Sequence, residues 1–300
     1  MIKSFTKHER RKSYMEKLLF VMLVLVLVTP VEAFGKPSEI ETLKTDSFSM
    51  DYFRFGNGKR TLVIIPGISL QSVMNYAEAI NESYKLLTDD FTIYVLDRRK
   101  KLPSHYTVSE MANDTAKAIK ALGLSKVSIF GASQGGMMAM KIAIEYPELV
   151  ESMILGSTTA YIPPERYSFF EDLIQLAKEG NAKSLNLSFG EAIYPQSVFE
   201  QSRELLIEAS KTVTDEDLQR FIIMTEGMSG FDVTNDLRKI TCPVLVIGSR
   251  SDRVFGGEAS VKIMEKIRGC ELYMYDDYGH AAYDVAPDYR ERMLRFFQSK

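Results

Sequence analysis

The fourteen residues VSIFGASQGGMMAM, Val127 to Met140, restrict the fold more than any other stretch of the chain. An apolar, β-branched run stops at Gly131, and helix-forming residues resume at Gln134, so almost no loop separates them. A strand passing straight into a helix forces the corner residue, Ser133, into a strained backbone conformation. The residues two before and two after it, Gly131 and Gly135, then come too close for side chains, which glycine permits. A turn that only capped a helix would manage with one glycine and no serine. The strain lifts the Ser133 hydroxyl clear of the backbone, above the sheet edge and at a helix N-terminus.

A serine hydroxyl is a weak nucleophile near neutral pH and needs an adjacent base, itself oriented by an acid. The chain has three histidines. His8 lies in the leader, and His105, in LPSHYTV, sits in an exposed-looking loop. His280, in YDDYGHAAYD, follows the last predicted strand, with Gly279, Ala281 and Ala282 giving its loop room to turn back over Ser133. His280 is the candidate base. For the acid, PVLVIGSRSDRVF places Asp252 at the exit of the penultimate strand. Asp276 and Asp277 precede the histidine, and Asp97 in VLDRRKK reads as one half of a local ion pair.

The order of elements supplies the frame. DSFSMDYFRF alternates like a strand, and the Asn-Gly of GNGK signals a hairpin into the wholly apolar TLVII. Strand and helix patterns then alternate through FTIYVLD, VSIFG, VESMILGS, PVLVIGS and ELYMYDD to a terminal helix. That alternation predicts an α/β fold: a doubly wound, mostly parallel sheet with helices on both faces. Residues 157–239 break the rhythm with helical patterns and no convincing strand, at PERYSFFEDLIQLAKEG, PQSVFEQSRELLIEASK and TDEDLQRFIIMTEGM. They read as a helical cap inserted after the sixth strand, over the strand ends where open α/β sheets bind ligands. Its aromatic and Met side chains predict an apolar pocket beneath. The core is then 34–156 and 240–300.

GASQGG, GSRSDRV and GHAAY, in the order Ser133, Asp252, His280, resemble the nucleophile elbow, acid loop and histidine loop of the α/β-hydrolase fold superfamily. The resemblance runs from about Asp46 to Gln298. It implies an oxyanion hole formed by the backbone N–H groups of Gln134 and of Ile68, in VIIPGISL. It also implies a serine hydrolase cleaving an ester or related acyl bond of a small, apolar substrate, with no metal or organic cofactor. An aminopeptidase, a C–C hydrolase or an acyltransferase fits the same fold, and a non-catalytic ligand-binding protein is the alternative of another class. Two departures bear on substrate rather than on the three chemical residues: Pro66-Gly67 where relatives often carry His-Gly, and DRRKKLPSHY in a loop that is often glycine-rich. The cations Arg98, Arg99, Lys100 and Lys101 read as a solvated loop, with attraction of an anionic substrate as the other reading.

Residues 1–33 carry a cationic start, an eleven-residue apolar run from Leu18 to Val28, Pro30, and a small residue at Ala33. That is a signal-peptide pattern, and it predicts export. At 1.5 Å per residue the run spans only about 17 Å, short of a hydrocarbon core of ~30 Å. Retention as a membrane anchor through residues 18–28 is the other outcome. A formal charge of −3 leaves no basic excess for nucleic acid. Cys242 and Cys270 both precede predicted neighbouring strands and read as two buried small residues, with pairing open to an exported chain.

Overall fold

The computed structural model describes residues 39–300, so the leader lies outside the described residues. Eight strands form one sheet in the order β1-β2-β4-β3-β5-β6-β7-β8. They are β1 Ile40–Lys44, β2 Ser49–Phe55, β3 Arg60–Ile65, β4 Phe91–Arg99, β5 Val127–Ala132, β6 Val150–Gly156, β7 Val244–Ser249 and β8 Glu271–Tyr275. From β4 to β8 every neighbouring pair is parallel, while β1–β2 and β2–β4 are antiparallel.

The wholly apolar strands are explained by burial on both faces. In β3, Val63 and Ile65 belong to one core, whereas Leu62 and Ile64 belong to the other. The period of two thus divides one hydrophobic run between two layers. The first layer packs helices α2 (Val108–Ala121), α3 (Gln134–Glu145) and α8 (Gly257–Lys266). The second holds α1 (Ala77–Ser83) and the C-terminal helix α10 (Tyr289–Gln298).

One expectation needs correction. The Asn-Gly signal at Asn57-Gly58 makes no hairpin: β2 and β3 do not pair, because β4 lies between them. A backbone contact explains the glycine instead, since a side chain at Gly58 would come within 1.9 Å of the Asp90 carbonyl carbon. The hairpin is formed one step earlier, by β1 and β2, and β1 precedes the region of resemblance. Between β3 and β4 the chain forms a short 3₁₀ turn, α1, and a second 3₁₀ turn.

Between β6 and β7 lie four helices: α4 (Pro164–Lys178), α5 (Ala182–Ile193), α6 (Gln196–Ser210) and α7 (Asp215–Glu226). Three coincide with the sequence patterns; α5 is additional. Its Asn, Ser and Gly content dilutes the helical pattern, yet the packing uses those residues. A side chain at Gly190 would come within 2.5 Å of a Leu206 methyl on α6, and Asn186 Nδ2 donates to the Leu206 carbonyl at 2.8 Å. Cys242 and Cys270 are free thiols before β7 and β8, half-buried rather than fully buried. Burial pushes them up to about 11 and about 12.

Candidate active site

Ser133 joins β5 to α3 with φ of 52° and ψ of −120°, a backbone conformation that L residues rarely adopt. The surrounding glycines are required by contact. A side chain at Gly135 would come within 2.0 Å of the Ile65 carbonyl oxygen, and one at Gly131 within 2.5 Å of the Gly135 carbonyl oxygen. Gly136 is needed as well, because a side chain there would fall 2.6 Å from Cβ of Thr158. Thr158, just past β6, donates its hydroxyl to the Ser133 carbonyl at 2.7 Å, and the Ser133 amide donates to the Gly156 carbonyl at 2.9 Å. The strained corner is thereby held from the neighbouring strand.

The structure brings Ser133, His280 and Asp252 together. His280 Nε2 lies 3.0 Å from Ser133 Oγ, and Nδ1 lies 2.9 Å from Asp252 Oδ2. All three side chains are buried, at 6%, 2% and 8% exposure. Asp252 keeps its second oxygen, Oδ1, for the backbone N–H groups of Val254 at 2.8 Å and Phe255 at 3.1 Å. Burial raises the Asp252 pKa. The His280 charge and the hydrogen bonds from His280, Phe255 and Val254 outweigh that effect and hold the carboxyl below its ordinary value. A carboxylate at Nδ1 fixes the tautomer that leaves Nε2 free to accept the serine proton.

The loop bearing His280 is fastened from two sides. Ser249 and Ser251 accept the Tyr278 and Gly279 amides at 3.3 and 3.0 Å, tying it to the loop of Asp252. The Ala281 amide donates to Ile193 at the end of α5 at 2.9 Å. Gly279 has φ of 65°, and a side chain there would come within 2.7 Å of the Ile193 carbonyl oxygen. The Phe255 ring meets the imidazole edge-on at 5.3 Å.

Gln134 begins α3 and Ile68 lies in the loop after β3; neither amide donates to another described residue. Gly67, beside Ile68, lies close enough that a side chain there would come 3.1 Å from Ser133 Cβ. Two buried backbone donors thus flank the serine. Of the other candidates, His105, Asp276 and Asp277 are exposed, and Asp276 pairs with Arg250 at 3.0 Å.

The cationic loop differs from the sequence reading. Arg98 is 2% exposed and donates to the Pro66 carbonyl and to Gln134 Oε1, both at 2.9 Å. Gln134 Nε2 in turn donates to the Met224 carbonyl of α7 at 2.8 Å. Asp97 does form an ion pair, but with Arg220 of α7 rather than with its neighbours, and it also accepts from Ser72 Oγ at 2.6 Å. Burial lowers Arg98 to about 10, against the opposing pull of Asp97. Arg99 pairs with Asp114 at 3.4 Å and Lys100 with Asp51 at 2.6 Å, so of the four cations only Lys101 is solvated and without a partner among the described residues.

A cavity of about 290 Å³ opens beside this centre, bounded by Gly67, Ile68 and Ala132 at the serine end. Among the aromatic side chains of the inserted helices and their links, Phe189 and Tyr194 line it. Phe170, Phe221, Met224 and Met228 pack into the core instead.

A buried hydroxyl, imidazole and carboxylate at the carboxyl edge of a mostly parallel sheet, with two free amides beside the hydroxyl, belong to the class of hydrolases built around a strand–turn–helix corner. A model of the α/β hydrolase fold family matches residues 60–179. The human serine hydrolase BPHL is 22% identical over 262 residues, covering 84% of this chain and 83% of its own. The 2-hydroxy-6-oxo-6-phenylhexa-2,4-dienoate hydrolase of Comamonas testosteroni is 23% identical over 286 residues, covering 89% and 97%. The α/β hydrolase MGS-M2, from a Medee basin deep-sea metagenome library, superposes with a TM-score of 0.77 at 23% identity, covering 86% of this chain and 97% of that one. The chain has the α/β-hydrolase fold and is a hydrolase.

Proposed function

We propose that the chain cleaves an ester or related acyl bond of a small molecule through an acyl-enzyme on Ser133. The observation that carries this reading is the continuous relay from Asp252 through His280 to Ser133, at 2.9 and 3.0 Å. In the first half, Ser133 Oγ attacks the substrate carbonyl carbon while His280 Nε2 takes its proton. The amides of Gln134 and Ile68 receive the developing oxyanion. The tetrahedral adduct collapses and expels the leaving group, which takes the proton from His280. Water, deprotonated by the same imidazole, then attacks the acyl carbon and restores Ser133. Asp252 holds the imidazole tautomer and stabilises the imidazolium. The inserted helices act as a lid that closes the cavity over the bound acyl group.

The fold accommodates amide, C–C and acyl-transfer chemistry as well. A panel of acyl esters, amides, lactones and vinylogous diketones, run with wild type and Ser133→Ala, tests the reading. Turnover of esters or lactones that Ser133→Ala abolishes is the expected result. Turnover confined to amides or diketones, or turnover that survives in Ser133→Ala, overturns it.

We also propose that residues 1–33 export the chain, on the charge and hydropathy pattern of the leader. Intact-mass analysis of protein from the native host should give a chain beginning at Phe34; a full-length, membrane-bound chain refutes export.

A further inference from the structure

The cavity beside Ser133 has a polar group at its wall that acyl transfer does not use. Asp284, in the one-turn helix α9 (Ala282–Val285) that follows His280, lines it. No hydrogen bond or ion pair joins the Asp284 carboxyl to another described residue. The nearby cation is committed elsewhere. Arg290 donates to the Tyr283 carbonyl and, at 2.8 Å, to Ser83 Oγ, and its guanidinium lies 4.1 Å from the centre of the Tyr84 ring. The remaining walls are mostly apolar, as at Ile64, Val73 and Phe130, and the polar groups among them, such as Gln71, Asn186 and Tyr194, do not bond the carboxyl.

A carboxylate lining a mostly apolar cavity, with no donor of its own, is an uncommon arrangement in a native fold. It is completed by whatever enters the cavity. Methylenes of an acyl chain match the apolar walls, and a hydroxyl or ammonium at the far end of that chain matches the carboxylate. Because Arg290 offsets the charge of Asp284, a neutral hydroxyl suffices, and an ammonium adds a charge-assisted bond.

We infer that this cavity takes an acyl group whose far end carries a hydrogen-bond donor, received by Asp284. The inference rests on the acyl-enzyme reading, in which the acyl chain enters the cavity from Ser133. Asp284 then acts on selectivity and leaves the chemistry to Ser133, His280 and Asp252.

The test compares p-nitrophenyl esters of hexanoate, ω-hydroxyhexanoate and ω-aminohexanoate on wild type, Asp284→Asn and Asp284→Leu. Wild type should favour both donor-bearing esters over hexanoate by at least about tenfold in kcat/KM. Asp284→Leu should abolish or reverse that ratio. Asp284→Asn, which keeps an acceptor and removes the charge, should lose more of the amino preference than of the hydroxy preference. A wild-type preference for hexanoate, or a donor preference that persists in Asp284→Leu, overturns the inference. Calorimetry on Ser133→Ala with the three free acids separates the two readings. Donor-selective binding without turnover of any ester by wild type supports this site and overturns ester cleavage. Turnover without donor selectivity in kinetics or binding does the reverse.

Discussion

Ser133, His280 and Asp252 sit on three separate loops, and each is fixed by neighbours that leave it one role. Asp252 spends one oxygen on two backbone amides and the other on the imidazole. Asp252→Asn keeps the shape but favours the wrong tautomer, so kcat should fall by at least ~10²-fold in a folded protein. The exposed Asp276→Asn should stay within about tenfold in the same assay. Equal losses in the two variants would remove Asp252 from the relay. The Gly135 contact gives a second residue-level test. A methyl within 2.0 Å of the Ile65 carbonyl oxygen must displace backbone, so Gly135→Ala should cost several kcal/mol or prevent folding, measured by denaturant unfolding. The strand-to-helix turn at Ser133 was legible because its cause is local: two glycines and a serine inside five residues. Thr158, just past β6, packs on Gly136 of α3 to complete the same turn, and no local signal marks that pairing. Asp284 drew no attention as a site residue, because nothing in GHAAYD shows that its carboxyl faces a cavity.

At the scale of elements, the strands covered on both faces were readable from continuous apolar runs, and three of the inserted helices from their helical patterns. The missed hairpin and the missed helix have one origin, since glycine serves close approach as well as turning. Gly58 admits the backbone of Asp90, and Gly190 admits Leu206, so neither marks the break that its composition suggests. The cationic loop was misread for a different reason. The partner of Asp97 is Arg220, 123 residues along the chain, and the acceptors of Arg98 are Pro66 and Gln134. These groups join helix α7 to the loop after β3 and to the start of α3. Both side chains of the Arg220–Asp97 pair are largely buried, at 15% and 10% exposure. Removing one partner strands the other charge, so Arg220→Met should destabilise the fold by about 3 kcal/mol. Chemical denaturation with an unchanged m-value checks this; a loss near zero would mean that α7 is not anchored through Asp97.

For the whole molecule, the buried Asp252 and the half-buried Asp284 give opposite pH dependences. Burial pushes Asp284 up to about 6 despite the charges of Arg290 and His280. The folded state therefore binds that proton more tightly than the unfolded chain, whose carboxylate titrates near ~4. Its contribution to stability is fully present below pH ~4 and is lost as pH rises through about 6. Asp252 is held below its ordinary value, so its contribution is present above pH ~4 and is lost as pH falls through the folded pKa. Asp284→Asn should accordingly flatten the stability profile between pH 4 and 6, and urea unfolding across that range reads it; an unchanged slope would show that the carboxyl is already solvated or paired.

The central claim, that Ser133 is an activated nucleophile, is tested most directly by intact-mass and peptide analysis after exposure to a fluorophosphonate. One adduct per chain is expected, on Ser133, absent from Ser133→Ala and strongly slowed in His280→Ala. A folded protein that takes up no adduct, or one labelled at another residue while Ser133 stays free, would contradict it.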